Sequence, residues 1–362
     1  MVASVIKAKL LGSLAFLIYR TGLIKAINYF VATHTLARNS HGQLCLPYIK
    51  KRQSWVFHIL IYHRINDDYD PFFPGTPVSV FEKQMEYLAD DFNVCDLAYL
   101  VERIDADDVP KKTVVVTFDD GYRDNFLNAY PILRKYSIPT TIFLATDAIG
   151  SNKILWHDRV FSAFRETKMP LLKGFLGAER YPLTCVAEKL AAQAEILKRL
   201  WRMTEQERFP VVECLRKELG VADDGKQSDV MLSWEDVITM HKNGISFGSH
   251  SVTHPALATL STNRMREELA VSKRTIEEKL QTRVTAFAYP RGSVGDFNER
   301  TKLLLKETGY RCAVTTRFGL NVPGCDRYEL RRGTPWEHDP YRFALKLSWY
   351  RFAATEQADR IG

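Results

Sequence analysis

Two aspartates, Asp119 and Asp120, follow the strongly β-prone run Thr113-Val114-Val115-Val116-Thr117-Phe118 and precede Gly121. Farther along, Phe247-Gly248-Ser249-His250-Ser251-Val252-Thr253-His254-Pro255 carries two histidines four residues apart. Each pair stands where an apolar strand gives way to a turn. Two carboxylates and two imidazoles suffice to hold a divalent metal on one Asp and two His, leaving the second Asp free as a base. The pattern is that of metal-assisted hydrolysis. Taken singly, an acidic turn or a pair of turn histidines has an ordinary structural explanation; only their combination points to chemistry.

The elements that must position these groups are legible in outline. Trp55–Tyr62 reads as a buried strand ending at His63, followed by a loop holding Pro71, Pro74 and Pro77. A helix is expected from about Ser79, an N-cap candidate with Glu82 three residues later. Thr113–Phe118 is the next strand, Asp124–Tyr136 a helix and Thr140–Ala145 a strand. Ile245–Gly248, Val284–Tyr289, Cys312–Thr316 and Tyr328–Arg331 read as later strands, with Asn263–Leu280 and Glu299–Thr308 as helices between them. Strands alternating with helices predict a parallel α/β architecture. His63, Asp119-Asp120, His250 and Tyr289 each fall at the C-terminal end of a different predicted strand. In a barrel of parallel strands those ends converge on one face.

Residues 147–231 break the alternation. Trp156-His157-Asp158-Arg159 opens a stretch with helical patterns at Val186–Trp201 and Thr204–Leu219, which predicts a mostly helical insertion facing the substrate or acting as a lid. Within it, Trp156-His157-Asp158-Arg159 is expected to pack the insertion together, with substrate contact through aromatic stacking on a sugar face as the alternative, and Trp201, like Trp234, to lie in an interior.

Thr117-Phe118-Asp119-Asp120-Gly121, His250-Ser251-Val252-Thr253-His254 and Phe287-Ala288-Tyr289-Pro290-Arg291-Gly292 resemble the first three motifs of the polysaccharide deacetylases, the NodB-homology family or carbohydrate esterase family 4. The resemblance runs from about Val56 to Arg332, interrupted by the insertion. It implies a distorted (β/α) barrel that hydrolyses N-acetyl groups, sometimes O-acetyl or N-formyl groups, on sugars. Carried over motif by motif, it makes Asp119 the catalytic base and Asp120, His250 and His254 the ligands of one divalent ion, zinc first, with cobalt, nickel or manganese as alternatives. A His-His-Asp set keeps positions open for water and a carbonyl oxygen, in agreement with that assignment.

Where the family's C-terminal leucine-x-x-histidine would supply the general acid, no convincing match is found. One subgroup, the exopolysaccharide poly-N-acetylglucosamine deacetylases, uses the histidine of an early tyrosine–histidine pair, and Tyr62-His63 fits it; His63 is therefore assigned as the acid, with His338 and His157 as competing candidates. The third motif departs from the family's arginine-x-proline-tyrosine, because Ala288 stands at the arginine position. The missing cation that braces the base is sought in Arg332, with Arg331 and Arg291 as alternatives. Tyr289, Pro290 and Arg291 are expected at the substrate, a backbone amide near Tyr289 serving the oxyanion.

The composition, 46% hydrophobic and 26% charged over 362 residues, is that of an ordinary globular protein. The net charge of +7 is local: residues 1–66 hold no Asp or Glu and nine cations, and without those nine, 41 basic residues face 43 acidic ones. A nucleic-acid groove over the body is thereby disfavoured. The first 54 residues also carry apolar runs, Leu10–Tyr19 and Ile27–Val31, broken by Arg20 and Lys25 before they reach spanning length. They are expected to form either a basic amphipathic helix on an anionic membrane surface or a helix packed on the body, with a retained, uncleaved signal anchor as a lesser alternative. Residues 55–362 are then the catalytic domain. Six scattered cysteines without a C-x-x-C pair predict reduced thiols. The expected protein is a bacterial N-deacetylase of an N-acetylated glycan or lipid-linked sugar, cytoplasmic or peripheral to the inner membrane, with the cell-envelope side left open. The alternatives are a deformylase or deacetylase of a lipid-carried monosaccharide, and a non-catalytic glycan-binding component of an exopolysaccharide machine.

Overall fold

Seven short strands, all parallel, form a single curled sheet around which the helices pack. The structure is a computed structural model that describes residues 55–221, 230–333, 335 and 337–347, together with a two-residue antiparallel pair, Ala37–Arg38 with Leu44–Cys45. The expected N-terminal helix lies outside the described residues. No helix among them is long and apolar enough to cross a membrane.

The strands of the sheet are β1 (Phe57–Tyr62), β2 (Asn93–Val94), β3 (Thr113–Phe118), β4 (Thr140–Leu144), β7 (Ser246–Ser249), β8 (Ala286–Ala288) and β9 (Cys312–Val314). Between β4 and β7 in the chain, β5 (Leu171–Phe175) and β6 (Ala178–Pro182) form a separate hairpin. Neighbours in the sheet run β9-β8-β7-β4-β3-β1, with β2 on the start of β3. β1, β3 and β4 are buried along their whole length, and such continuous apolar runs belong to parallel strands covered on both faces.

The region expected as a strand at Tyr328–Arg331 instead makes isolated bridges that join the sheet's edges. The seam is built from backbone bonds, Leu330 N–H to Ala313 O at 3.0 Å on the β9 side and Gly333 N–H to Ile59 O at 2.7 Å on the β1 side. Residues 327–333 thus close the sheet into a distorted (β/α) barrel.

The helices are α1 (Val78–Asp91), α2 (Leu97–Asp105), α3 (Tyr130–Lys135), α4 (Trp156–Glu166), α5 (Val186–Leu200), α6 (Glu205–Glu218), α7 (Trp234–Lys242), α8 (Thr262–Leu280) and α9 (Glu299–Glu307). Three differences from the sequence reading have local causes. Helix α1 starts one residue earlier, with Pro77 at the cap and no side-chain cap bond, so Ser79 is not its N-cap. The helix expected at Asp124–Tyr136 begins with a wide π-turn over Asn125–Ala129, where the Asn125 amide turns away to the His63 carbonyl. The insertion, expected as mostly helical, also contains the antiparallel β5–β6 hairpin, turned at Leu176-Gly177 in left-handed conformation. Its apolar residues, among them Val160, Phe164, Leu172, Ile196, Leu200 and Leu215, form a cluster of their own beside the barrel.

Candidate active site

The turn after β3 is the most constrained backbone of the site. Asp120 has φ of +74° and Gly121 φ of +85°. A Cβ at Gly121 would approach side-chain carbons of Ile149 and Leu144 to 2.7 and 2.9 Å, so only glycine fits. A non-glycine residue in left-handed geometry marks strain held by its surroundings, and here it turns two consecutive carboxylates into one cavity. After β7, Ser251 (φ +68°) and His254 (φ +57°) bend the chain in the same way. The Ser251 hydroxyl accepts from the His254 N–H at 3.1 Å, and His250 and His254 meet over four residues.

Asp120 Oδ1, His250 Nε2 and His254 Nε2 converge. Oδ1 lies 3.4 Å from His250 Nε2 and 3.2 Å from His254 Nε2, and the two nitrogens are 3.1 Å apart. His250 Nδ1 donates to the Ala288 carbonyl at 2.8 Å, which places its lone pair on Nε2, toward the carboxylate. Burial alone would push the Asp120 carboxyl up; polar contact with His250 and His254 outweighs it and holds the group well below its usual range, so it is ionised. Asp120 Oδ1 is nonetheless buried without a hydrogen-bond donor. Three ligand-type atoms within 3.4 Å of one another, one of them a carboxylate oxygen lacking a donor, are the donor set of a divalent-cation site, and the residues fit one. A ring nitrogen of His157 also comes within 4.8 Å of the ligand atoms of Asp120 and His254. In the Asp120–His250–His254 grouping the ligand atoms lie 3.1–3.4 Å apart, and a carbonyl accepts from His250 Nδ1.

The loop bearing these histidines is braced by a buried carboxylate. Glu268 of α8 accepts from the Val252 and Thr253 N–H groups at 2.7 and 3.0 Å on Oε2, and from the Thr253 hydroxyl at 2.9 Å and Arg264 Nη2 at 2.8 Å on Oε1. Outer contacts of this kind typically affect metal affinity by about 10–100-fold. Glu268→Ala is accordingly expected to weaken Zn²⁺ binding by about that factor, read by competition with a chromogenic chelator; unchanged affinity would show that the loop holds itself.

Asp119 points to the other side of its turn, onto Arg332. The pair is bidentate, Nη1–Oδ1 at 2.7 Å and Nη2–Oδ2 at 2.6 Å, and both side chains are buried. Arg332 Nε donates to Thr315 O at 2.7 Å and Nη1 also reaches the Thr117 hydroxyl at 3.2 Å, so the guanidinium is locked in orientation. Burial raises the Asp119 carboxyl, but the Arg332 charge, followed by His250, brings it below the ordinary carboxylate value. Arg332 therefore occupies the place left by Ala288. Arg331 donates its backbone N–H to Asn321 Oδ1 and is exposed, and Arg291 reaches Asp296 at 3.4 Å; neither is in bonding contact with Asp119.

A cavity of about 200 Å³ opens over these groups, lined by His63, Asp119, Asp120, His250, His254, Arg291 and Thr316 from the barrel. His63 is half-buried at its wall, after β1. His338 is exposed and does not line it. The expectation for Tyr289 is corrected. Its N–H is bonded to Val314 O at 3.1 Å within the sheet, its hydroxyl to Tyr328 O at 2.9 Å, and its ring stacks on Phe297 at 4.0 Å. Its amide is spent on the sheet ladder and cannot serve an oxyanion. Pro290 has no N–H to offer. The Arg291 N–H, two residues on, donates to no protein acceptor among the described residues, and its side chain lines the cavity.

The insertion faces the cavity, as its sequence suggested, but residues expected mainly to pack it, Trp201 among them, prove to line the site. His157, Phe161, Leu197 and Trp201 line the cavity too. Trp156 Nε1 donates to His254 O at 3.1 Å, and Tyr122, next to the acidic turn, donates its hydroxyl to Asp158 at 2.9 Å and touches His157 Nε2 at 3.2 Å. The signal was present in Trp156-His157-Asp158, three residues with polar handles that a purely packing segment does not need.

Asp158 is buried, and burial first, then the Asp120 charge, pushes its carboxyl up to about 8. A raised folded-state value means that its contribution to stability is full below the unfolded value near 4 and is lost as pH rises through 8. Chelator-treated protein is therefore expected to lose up to about 1.4 kcal/mol per pH unit across that window from this group. Asp158→Asn should flatten the dependence, read by urea unfolding at several pH values; an unaltered slope would assign it to other groups.

A barrel with a carboxylate-bis-imidazole cluster and a separately braced carboxylate at its C-terminal face is the architecture of a hydrolase. Residues 106–313 match the sequence profile described as Polysaccharide deacetylase, and the chain belongs to that family. YxkH of Bacillus subtilis (strain 168), which carries the polysaccharide deacetylase name, is 25% identical over 287 residues, 79% of this chain and 73% of YxkH. The poly-β-1,6-N-acetyl-D-glucosamine N-deacetylase of Staphylococcus epidermidis is 38% identical over 72 residues, only 20% of this chain and 25% of that enzyme. Among solved structures, the Streptococcus pyogenes deacetylase PplD in complex with acetate superposes with a TM-score of 0.52 at 20% identity, covering 77% of this chain and 92% of that one. IcaB from Ammonifex degensii gives 0.51 at 20% identity, covering 81% and 97%. These two share the fold.

Proposed function

We propose that this enzyme removes the N-acetyl group from an N-acetylated aminosugar of a polysaccharide or lipid-linked glycan precursor. The observation that carries the reading is the division of labour between two adjacent carboxylates. Asp120 faces two imidazoles with a donor-free oxygen, and Asp119 is locked on Arg332. A divalent ion on Asp120, His250 and His254 would supply Lewis acidity and a lowered water pKa. Asp119 takes the proton of the attacking water, its orientation set by Arg332. The Arg291 N–H donates to the oxygen on which negative charge develops. His63, at the cavity wall, returns a proton to the departing amine, so that acetate and a free amine leave. The partial likeness to poly-N-acetylglucosamine deacetylases supports an N-acetylated glycan as substrate class.

The test is acetate release from N-acetylglucosamine oligomers and from bacterial lipid-linked sugar extracts by protein reconstituted in turn with zinc, cobalt, nickel and manganese. Acetate that depends on added metal is expected. Formate in its place would move the reading to a deformylase, and neither product from metal-bound protein would leave a glycan-binding role.

The acid-free basic stretch at residues 1–66 supports a second part of the proposal, that the enzyme works at an anionic membrane surface on the cytoplasmic side. Deleting residues 1–38 should release the protein from anionic vesicles, and unchanged partitioning would remove the idea.

A further inference from the structure

The barrel supplies every group assigned a chemical role, yet a third of the residues lining the cavity belong to the insertion, and these are chiefly aromatic or apolar: Phe161, Leu197 and Trp201, with His157. A glycan strand that passes through a site needs a groove open at two ends. Here the insertion touches the barrel's loops on both flanks. On one, the Arg291 guanidinium lies over the Trp201 ring at 5.6 Å. On the other, Phe73 of the loop after β1 packs on Phe161 at 4.8 Å. The insertion is held in place between these bridges by the Trp156–His254 and Tyr122–Asp158 hydrogen bonds and by Arg264, which reaches Glu205 of α6 at 3.0 Å. The cavity between these bridges, about 200 Å³, is below the ~300–1,000 Å³ of pockets that engulf drug-sized ligands. With Phe161, Leu197 and Trp201 walling its insertion side, the space is on the scale of a single ring and its acyl group.

We propose that the insertion makes this an end-reading site, which takes one N-acylated aminosugar presented at a chain terminus or alone on a carrier, and rejects residues within a strand. The inference rests on the deacetylase reading above. Trp201 and Phe161 are its specificity-determining residues: they touch the substrate's apolar face and bar the strand's passage, and they take no part in proton transfer.

The experiment maps the products of Zn²⁺-loaded full-length enzyme on two probes. One is an N-acetylglucosamine pentamer labelled at its reducing end, with free amines located by fragmentation mass spectrometry; the other is octyl N-acetylglucosaminide. Acetate loss confined to a terminal residue of the pentamer supports the chain end as the source, and turnover of the octyl glycoside alone supports a carrier-borne sugar. Acetate loss from interior residues at rates comparable to the ends would overturn this inference while leaving the deacetylase reading intact. No acetate from either probe with metal bound would overturn both. Trp201→Ala and, separately, Phe161→Leu should raise the interior-to-terminal ratio about tenfold or more. Properly folded variants that bind Zn²⁺ and keep the wild-type product map would overturn the role given to these walls.

Discussion

Asp119→Asn is expected to lower kcat by about 10²–10⁴-fold while leaving the metal affinity within a factor of a few. Asparagine keeps the shape of the turn and still accepts a hydrogen bond from Arg332, but cannot take a proton. The prediction separates the two carboxylates. Asp119 Oδ2 is 3.9 Å from His250 Nε2, outside the 3.1–3.4 Å cluster that Asp120 completes. Asp120→Asn should do the reverse and weaken binding of the ion. Single-turnover rates beside a Zn²⁺ titration would decide it. A variant at Asp119 that lost its metal together with its rate would show that both carboxylates serve the ion.

Arg332→Met should destabilise the fold by about 3–5 kcal/mol, because it leaves Asp119 buried and unpaired. Arg332 is fully buried and Asp119 is 1% exposed, so water cannot take over the lost partner. The double variant Asp119→Asn/Arg332→Met should recover much of that loss, since removing both members of a buried ion pair is often close to neutral. It should recover none of the activity. Chemical denaturation of the three variants beside the wild type measures both numbers. If the single variant cost less than ~1 kcal/mol, an unseen cation or water would have to be pairing Asp119. The pair also has a pH signature. The carboxyl is held below its ordinary value, so its contribution is full above pH 4 and is lost as pH falls toward its folded-state value.

The barrel was readable because its strands are unbroken apolar runs, such as Thr113–Phe118, that end on chemically competent residues. Periodicity and position together carried that inference. Arg332 was found from an absence, the alanine at 288, since a buried base needs a cation from somewhere. What sequence could not supply were choices settled by packing. Trp201 reads as a core residue at the end of a helical pattern, and only the docking of α4 against α5 turns it toward His254, 5.5 Å away. The Leu171–Pro182 hairpin is too short and too mixed in polarity to show a strand period. Tyr289 stands at a strand end like the other site residues, but the neighbouring β9 claims its amide, which depends on register and not on residue type.

The seam at residues 327–333 has a consequence for the order in which the enzyme becomes competent. The groups proposed to hold the ion lie between residues 120 and 254, whereas the arginine that pairs with Asp119 arrives with the last stave, which joins β9 to β1. On the proposed mechanism, a chain whose final stave has not docked keeps the Asp120, His250 and His254 groups but leaves Asp119 without the guanidinium that aims it. Completion of the barrel and pairing of Asp119 with Arg332 are thereby one event.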